Sequence, residues 1–275
     1  MSQLPRIDVP AFTARVHKRV GESAQQPCSV QELNGLLRTL ATWRAILLSD
    51  HLVGRDGTTI SSGPFEGMTY VERASEGSLS ARLLGAYEFS LFGVIEEIIT
   101  SAYGTLIDIG CSDGYYAVGF ARRMPNTRVL AYDTDAAARD QCAALAGSNG
   151  VSDRITIGAT FSSADFALCL EKRTIVFCDI EGAEDELLRP EASPGLAAAD
   201  ILVESHEILK PGLTDELTRR FEATHDITRL GRRLTTDPLP DWAEGLSELD
   251  RLLMLWDWRG GSTPWLWMKS QSMAR

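Results

Sequence analysis

The sequence predicts an α/β protein: a doubly wound sheet of seven mostly parallel strands, with a helical segment ahead of it. Three observations carry this. The first hundred residues have mainly helical apolar spacing. From Thr105 onward short apolar runs alternate with helix-like stretches, and one early strand breaks into a glycine turn that opens a helix. Residues 1–100 therefore read as a helical cap or dimerisation segment, and residues 101–275 as the α/β domain.

In chain order, Val30–Leu48 places Leu33, Leu36, Leu37, Leu40, Trp43, Ile46 and Leu47 at helical spacing. The Gly-, Ser- and Thr-rich stretch Gly54–Gly67 predicts a loop or short hairpin. Leu79–Thr100 predicts a second long helix through Leu83, Leu84, Tyr87, Leu91, Val94, Ile95 and Ile98. Strands are predicted at Thr105–Ile109, Arg128–Asp133, Arg154–Gly158, Thr174–Ile180 and Asp200–Ser205. Helices lie between them at Tyr115–Met124, Asp135–Ser148, Ser162–Lys172 and Ala183–Leu188. That alternation implies parallel pairing through right-handed crossovers. Pro125 stops the first of these helices, Thr134 is placed to cap the second, and Asn149-Gly150 ends it. In the tail, Leu213, Leu217 and Phe221 mark a helix face, His225–Leu230 a strand, Leu246–Trp258 a helix, and Trp265–Met268 a last strand.

The bulk properties narrow the function. A net charge of −11 over 275 residues argues against a broad grip on nucleic-acid phosphates, which needs clustered Lys and Arg. A small-molecule substrate fits better. The five cysteines stand singly with no CxxC pair, which reads as reduced thiols with neither a disulfide framework nor a zinc cluster. Apolar runs of spanning length and an apolar leader in MSQLPRIDVP are both missing. The expected setting is the cytoplasm, away from membranes.

The most informative stretch is Leu106-Ile-Asp-Ile-Gly-Cys-Ser-Asp-Gly-Tyr-Tyr116, a buried strand entering a helix through a tight turn. Gly110 and Gly114 let backbone approach a ligand where a Cβ would clash. The new helix offers free N–H groups and a positive dipole end, suited to a carboxylate. Asp108 anchors the turn or accepts from a ligand amine. Asp133 closes the next strand, 23 residues after Gly110, where an acid accepts both hydroxyls of a ribose. The two glycines do not make G-x-G-x-x-G, which disfavours a nicotinamide or flavin enzyme.

The D-I-G-C-S-D-G turn with an acid at the end of the next strand resembles motifs of class I S-adenosylmethionine-dependent methyltransferases. The resemblance implies a Rossmann-like domain whose glycine turn holds the methionine part and whose Asp133 holds the ribose. The implied cofactor set is Asp108, Gly110, Ser112, Gly114, Asp133, Thr134 and Phe161. At the third strand end, where the family often has an aspartate against adenine, this chain has Gly158-Ala-Thr-Phe161. Backbone with Phe161, or Ser162 or Ser163, is left to serve there. A narrower resemblance joins Phe177-Cys-Asp-Ile-Glu-Gly-Ala-Glu-Asp-Glu-Leu187 and Ile201-Leu-Val-Glu-Ser-His-Glu207 to the D-x-E-G-x-E and E-x-H signature of FkbM-type methyltransferases. These typically methylate hydroxyls of sugars and natural products. The likeness covers roughly residues 100–210; ahead of it, Leu83-Leu-Gly-Ala-Tyr-Glu88 is a candidate cofactor-capping helix.

Methyl transfer to an alcohol needs alignment and removal of the acceptor's proton. Asp179, Glu181 and Glu184 follow the fourth strand, and Glu204 and His206 share a face after the fifth. The catalytic candidates are His206 as general base, Glu204 or Asp179 to orient it, and Glu181. The same set is also suited to a divalent ion that lowers the alcohol's pKa. The acids from Glu181 to Glu186 equally suit a helix N-terminus with no chemistry implied. His225 and the tail tryptophans read first as structure and core. Beside O-methylation of a small hydroxylated molecule stand N-methylation of a small molecule, peptide or RNA, and a cofactor-fold binding protein without catalysis. The sequence lacks the Asn/Asp-Pro-Pro-Tyr loop that commonly marks planar amine acceptors. A homodimer through the N-terminal helices is expected.

Overall fold

The structure, a computed structural model, describes residues 8–71, 77–235 and 238–274. Most of MSQLPRIDVP, on which the expectation of no apolar leader rests, lies outside these. Helices α1 (Val9–Ser23) and α2 (Val30–Asp56) come first, capped by the side chains of Asp8 and Ser29. Helix α2 runs eight residues beyond the expected end and stops where Gly57 turns left-handed at φ 80. A short hairpin follows, closed by the Thr59–Thr69 bridge.

The expected long helix over Leu79–Thr100 is broken. It forms α3 (Leu79–Leu84), a 3-10 turn at Phe89–Leu91, and α4 (Phe92–Thr100). Gly85 is the cause: its φ is 71, and a Cβ there would stand 2.0 Å from the Ser62 carbonyl oxygen. Apolar periodicity runs through the break because both pieces pack on the same core.

The α/β domain follows the predicted grammar: β1 (Thr105–Ile109), α5 (Tyr115–Arg123), β2 (Arg128–Tyr132), α6 (Ala136–Ser148), β3 (Ile155–Gly158), β4 (Thr174–Cys178), α7 (Glu184–Leu187), β5 (Asp200–Glu204), α8 (Leu213–Phe221), β6 (His225–Leu230), α9 (Glu248–Met254) and β7 (Trp265–Ser270). The cap of α6 is Asp135, which accepts from the Ala137 amide at 2.9 Å, and not Thr134, which lies one residue too early. Ser162–Lys172 is a 3-10 segment over Ser163–Leu170, where Asp165 turns back to cap Ser162. Helix α9 covers only the middle of Leu246–Trp258, entered through the Ser247 cap.

One seven-stranded sheet has the order β3-β2-β1-β4-β5-β7-β6. All pairs through β5 are parallel, while β7 lies antiparallel between β5 and β6. β1, β4 and β5 are buried at every residue, as central parallel strands covered on both faces must be. Alternate residues feed two cores. Leu106, Phe120, Phe177 and Trp265 belong to one, and Ile107, Phe166, Val176 and Phe221 to the other. The strand order reverses between β1 and β4, so their carboxyl ends open a crevice where doubly wound folds bind ligands.

Candidate active site

The crevice is built on the glycine turn. Gly110, at φ 85, crosses so close to β4 that a Cβ would lie 1.7 Å from the Asp179 carbonyl oxygen. Only glycine fits there. Its amide donates to the Tyr132 carbonyl at 2.8 Å. Asp133 braces the turn from β2, accepting from the Ser112 amide at 2.9 Å and the Asp135 amide at 2.8 Å. The cleft of about 420 Å³ is lined by Asp108, Gly110, Ser112, Asp133, Thr134 and Phe161 from the expected cofactor set. Gly114 does not line it. That glycine stands behind the turn, where a Cβ would meet the Cys142 sulfur at 2.8 Å, so its task is packing.

Asp108 is buried with no well-aligned hydrogen bond to either carboxylate oxygen, the Ala117 amide of α5 being its nearby donor. Burial, reinforced by Asp179 and Asp133, pushes its pKa up to about 8. At the far end Phe161 packs edge-on to Tyr132, with Ala159 and Thr160 beside it on the wall. Ser162 and Ser163 are not on that wall; Ser162 is taken up by Asp165. From the N-terminal segment come Arg82 and Tyr87, the latter inside the stretch that the sequence marked as a capping helix.

Beyond Asp179, where β4 ends, the catalytic candidates converge on His206. Its side chain is almost wholly buried, and Nδ1 lies 2.7 Å from Oε1 of the fully buried Glu184. Nε2 faces Glu181 at 3.3 Å, Asp179 at 3.5 Å and Glu204 at 3.7 Å. The carboxylate hydrogen-bonded to the ring is therefore Glu184, not Glu204 or Asp179 as the sequence suggested. Glu184 also accepts from the Gly182 amide at 3.2 Å and the Ile180 amide at 3.3 Å. Burial alone would lower the imidazole pKa, but the Glu184 bond and the charges of Asp179, Glu184 and Glu181 outweigh it and raise it. For Glu184 burial works upward, and the His206 bond reverses it to a net lowering. Burial and the nearby Glu88 bring Asp179 up to about 7. Burial, Asp179 and Glu88 bring Glu204 up to about 10.

Two residues from segments without motifs complete the site. Arg259, in the loop before β7, ion-pairs with both Glu204 and Glu88 and donates to Thr263 at 3.0 Å. Glu88 also accepts from Trp265 Nε1 at 3.2 Å. Glu88 closes the stretch that the sequence marked as a candidate capping helix but was given no role of its own, and Arg259 was missed because it is one charged residue in an otherwise undistinguished loop. The four non-glycine residues with left-handed φ among the described residues are Glu88, Ser112, Glu181 and Trp258. Ser112 and Glu181 line the cleft, Glu88 is paired with Arg259, and Trp258 precedes that arginine in the chain. Such conformations cost roughly 1–3 kcal/mol each and gather at functional sites.

The residues outside the site behave as structure. His225 is buried with Nε2 2.9 Å from the Ala199 carbonyl oxygen, and Trp265 packs against Phe177. All five cysteines are free thiols, and among the described residues no helix is long and apolar enough to cross a membrane.

No protein-family model matches the chain. No curated protein matches it either. Among solved structures, cofactor-bound Rv0187 from MTB is similar at TM-score 0.44 and 13% identity, over 90% of this chain and 100% of that one. The O-methyltransferase TomG from Streptomyces achromogenes, involved in tomaymycin synthesis and in complex with SAM, gives 0.37 and 14%, over 52% of this chain and 70% of that one. An O-methyltransferase from Bacillus cereus in complex with SAH gives 0.38 and 14%, over 52% and 72%.

Proposed function

We propose that the chain is an S-adenosylmethionine-dependent methyltransferase of FkbM-like type that methylates a hydroxyl of a small molecule, such as a sugar or natural-product intermediate. The observation that carries this is the Glu184-anchored imidazole of His206, 3.5 Å from an Asp179 that itself lines the glycine-turn cleft. A proton acceptor thus stands directly behind two residues of the cleft wall, Asp179 and Glu181. Asp108 takes the ammonium of the cofactor, Asp133 with Thr134 its ribose, and Phe161 its adenine. The bound cofactor would supply the methyl group to the acceptor oxygen, and His206 Nε2 would take the proton that this oxygen loses, with S-adenosylhomocysteine as by-product. Alignment supplies about 7–11 kcal/mol of barrier reduction and the base about 10²–10⁴-fold in rate.

A second reading of the same cluster rests on one further observation. One ligand atom each from Asp179, Glu181 and His206 lies within 4.8 Å of the others. A histidine whose other nitrogen is tied to a carboxylate is the usual metal-ligand arrangement. In that reading Asp179, Glu181 and His206 would hold a divalent cation, which would lower the acceptor's pKa in place of the free imidazole.

Two copies of the chain pair through α2, whose Val30, Leu33, Leu37 and Leu40 are exposed at three- and four-residue spacing. A reducing, cytoplasmic setting suits the buried free thiols. The test of function is calorimetry with S-adenosylhomocysteine against NAD, then transfer of labelled methyl groups to a panel of hydroxylated acceptors. Binding of NAD with no binding of S-adenosylhomocysteine overturns the reading.

A further inference from the structure

Past the catalytic cluster the carboxyl edge of the sheet continues. Glu204, the last residue of β5, pairs with Trp265 at the start of β7, and Trp265 pairs with Leu230 at the end of β6. At these strand ends lies a second cavity, of about 20 Å³, lined by Glu88, Ser90, Arg232, Asp257, Arg259 and Thr263, with Trp265 and Leu230 among its apolar walls. That volume takes one water-sized group. Neighbouring strands stand about 4.8 Å apart, so the cavity lies roughly one to two strand spacings from Glu204.

Its charges are matched in pairs. Arg259 pairs with Glu88 and donates to Thr263 Oγ1 at 3.0 Å. Arg232 Nη2 donates to Asp257 Oδ2 at 2.8 Å, and the Arg233 amide donates to Ser90 Oγ at 2.6 Å. Asp257 Oδ1 is the exception: the residue is only 8% exposed, yet this oxygen has no hydrogen bond. Burial lifts the Asp257 pKa to about 6 against the pull of Arg232, so at pH 7 the carboxylate is ionised and accepts. A buried acceptor left without a donor costs about 1–3 kcal/mol, more when charged. Because each acid already has its arginine, the cavity does not call for a cation. A neutral O–H suits it, donating to Oδ1 while its oxygen accepts from a guanidinium.

Arg259 joins this cavity to the catalytic cluster. It lines the cavity and also ion-pairs with Glu204, which lies 3.7 Å from His206 Nε2. A molecule that presents one hydroxyl to the cluster and another to Asp257 carries several hydroxyls on a short frame, as a sugar does. We infer that the cavity is an acceptor subsite that takes a second hydroxyl of a sugar, held by Asp257 Oδ1 with Arg232 and Arg259; the inference rests on the hydroxyl-methylating reading above and narrows its acceptor to a polyol.

The experiment is a saturation-transfer NMR titration of the full chain in excess S-adenosylhomocysteine. The probes are the methyl glycosides of glucose, galactose, mannose and rhamnose, with cyclohexanol as a one-hydroxyl control. At least one glycoside binds the parent, and cyclohexanol binds more weakly. Asp257→Asn keeps the side chain's shape, but with its amide oxygen on Arg232 it turns an NH₂ group toward the cavity in place of the accepting Oδ1. Affinity for that glycoside should fall about 10- to 100-fold, the size of a hydrogen bond to a charged group, with S-adenosylhomocysteine affinity kept within about twofold by calorimetry. A parent that binds no glycoside overturns the inference. So does glycoside binding unchanged in Asp257→Asn, which leaves the cavity to water alone, and so does an equal loss for glycoside and S-adenosylhomocysteine, which marks a structural role. If Asp257→Asn does not fold, Arg232→Met, at a side chain 38% exposed, decides by weakening the same glycoside about threefold or more. A parent that does not bind S-adenosylhomocysteine overturns the methyltransferase reading itself, and calorimetry reads that failure separately from the glycoside series.

Discussion

His206 Nδ1 and Glu184 Oε1 are 2.7 Å apart in a pocket that leaves the carboxylate no exposure. An ionised Glu184 accepts, so Nδ1–H donates and the Nε2 lone pair of the neutral ring is directed at Asp179, Glu181 and Glu204. Against the effect of burial, the Glu184 hydrogen bond and the charges of Asp179, Glu184 and Glu181 favour its protonated form. The base therefore becomes competent only above its ordinary pKa of 6.5.

Turnover is accordingly expected to rise with pH through a value above 6.5, and Glu184→Gln should move that limb downward. The stabilisation from a His with a raised pKa is complete below 6.5 and is lost as pH rises through the folded value. An NMR titration of the His206 ring protons reads the midpoint without any acceptor. A midpoint that Glu184→Gln leaves in place would show that the pair is not what sets it. His206→Ala should lower turnover by about two to four decades with S-adenosylhomocysteine affinity kept.

Gly110→Ala should abolish S-adenosylhomocysteine binding and cost on the order of 3 kcal/mol or more in urea unfolding, since strained φ and a backbone clash combine. The clash is with the Asp179 carbonyl oxygen, so the damage spreads to β4. Asp133→Ala should stay folded yet bind S-adenosylhomocysteine much more weakly, having lost both the proposed ribose contact and the brace on Ser112. A folded Asp133→Ala of parental affinity would remove the ribose assignment.

The β/α alternation from Thr105 gave nearly every strand to within two residues, because buried parallel strands are short apolar runs with sharp ends. The glycine turn and the acids after β4 and β5 were legible too, since their chemistry is local in sequence. What escaped needed long-range packing. Gly85 breaks a helix because Ser62 lies against it, Gly114 serves Cys142, and Arg259 reaches Glu204 across 55 residues. The choice of Glu184 over Glu204 as the acid bonded to the ring escaped for a related reason. It follows from the turn at Glu181 and Gly182, both at positive φ, which brings α7 beneath the imidazole.

Asp108 supplies a thermodynamic prediction. Its pKa of about 8 means that the empty protein holds a proton there at pH 7, and that its contribution to stability falls as pH rises from about 4 through about 8. Pairing with the ligand ammonium expels that proton. The calorimetric enthalpy of S-adenosylhomocysteine binding at pH 7 should therefore vary with the buffer's ionisation enthalpy. Asp108→Asn should abolish that dependence and weaken binding about tenfold. A parent with buffer-independent enthalpy would refute the proton release.

The exposed row on α2 makes its own prediction. Leu33 and Leu37 are 54% and 66% exposed, a costly placement for two leucines unless a partner covers them. Light scattering should give a dimer mass, and Leu33→Glu with Leu37→Glu a monomer that still binds S-adenosylhomocysteine. A parent that stays monomeric at high concentration rules out the pairing.

The cluster at His206 distinguishes its two mechanisms by metal affinity. Asp179 Oδ1 is buried without a hydrogen bond and lies 3.5 Å from His206 Nε2, with Glu181 3.3 Å from the same nitrogen, so candidate ligand atoms are already gathered there. Carboxylates with one imidazole suit Mn²⁺ or Zn²⁺ better than Mg²⁺, which prefers an all-oxygen shell. After EDTA treatment and dialysis, Mn²⁺ added to the protein should lose its free-ion electron paramagnetic resonance signal if the site binds it. Asp179→Asn, Glu181→Gln and His206→Ala should each restore that signal. Glu184→Gln, acting only through the ring's far nitrogen, should weaken binding by about 10–100-fold. Those results together with activity lost to EDTA and recovered with Mn²⁺ would make the cation the agent that acidifies the acceptor. An unchanged Mn²⁺ signal with full turnover after chelation would instead leave proton removal to the imidazole. The rise of turnover with pH would then belong to His206 alone, and it should vanish in His206→Ala.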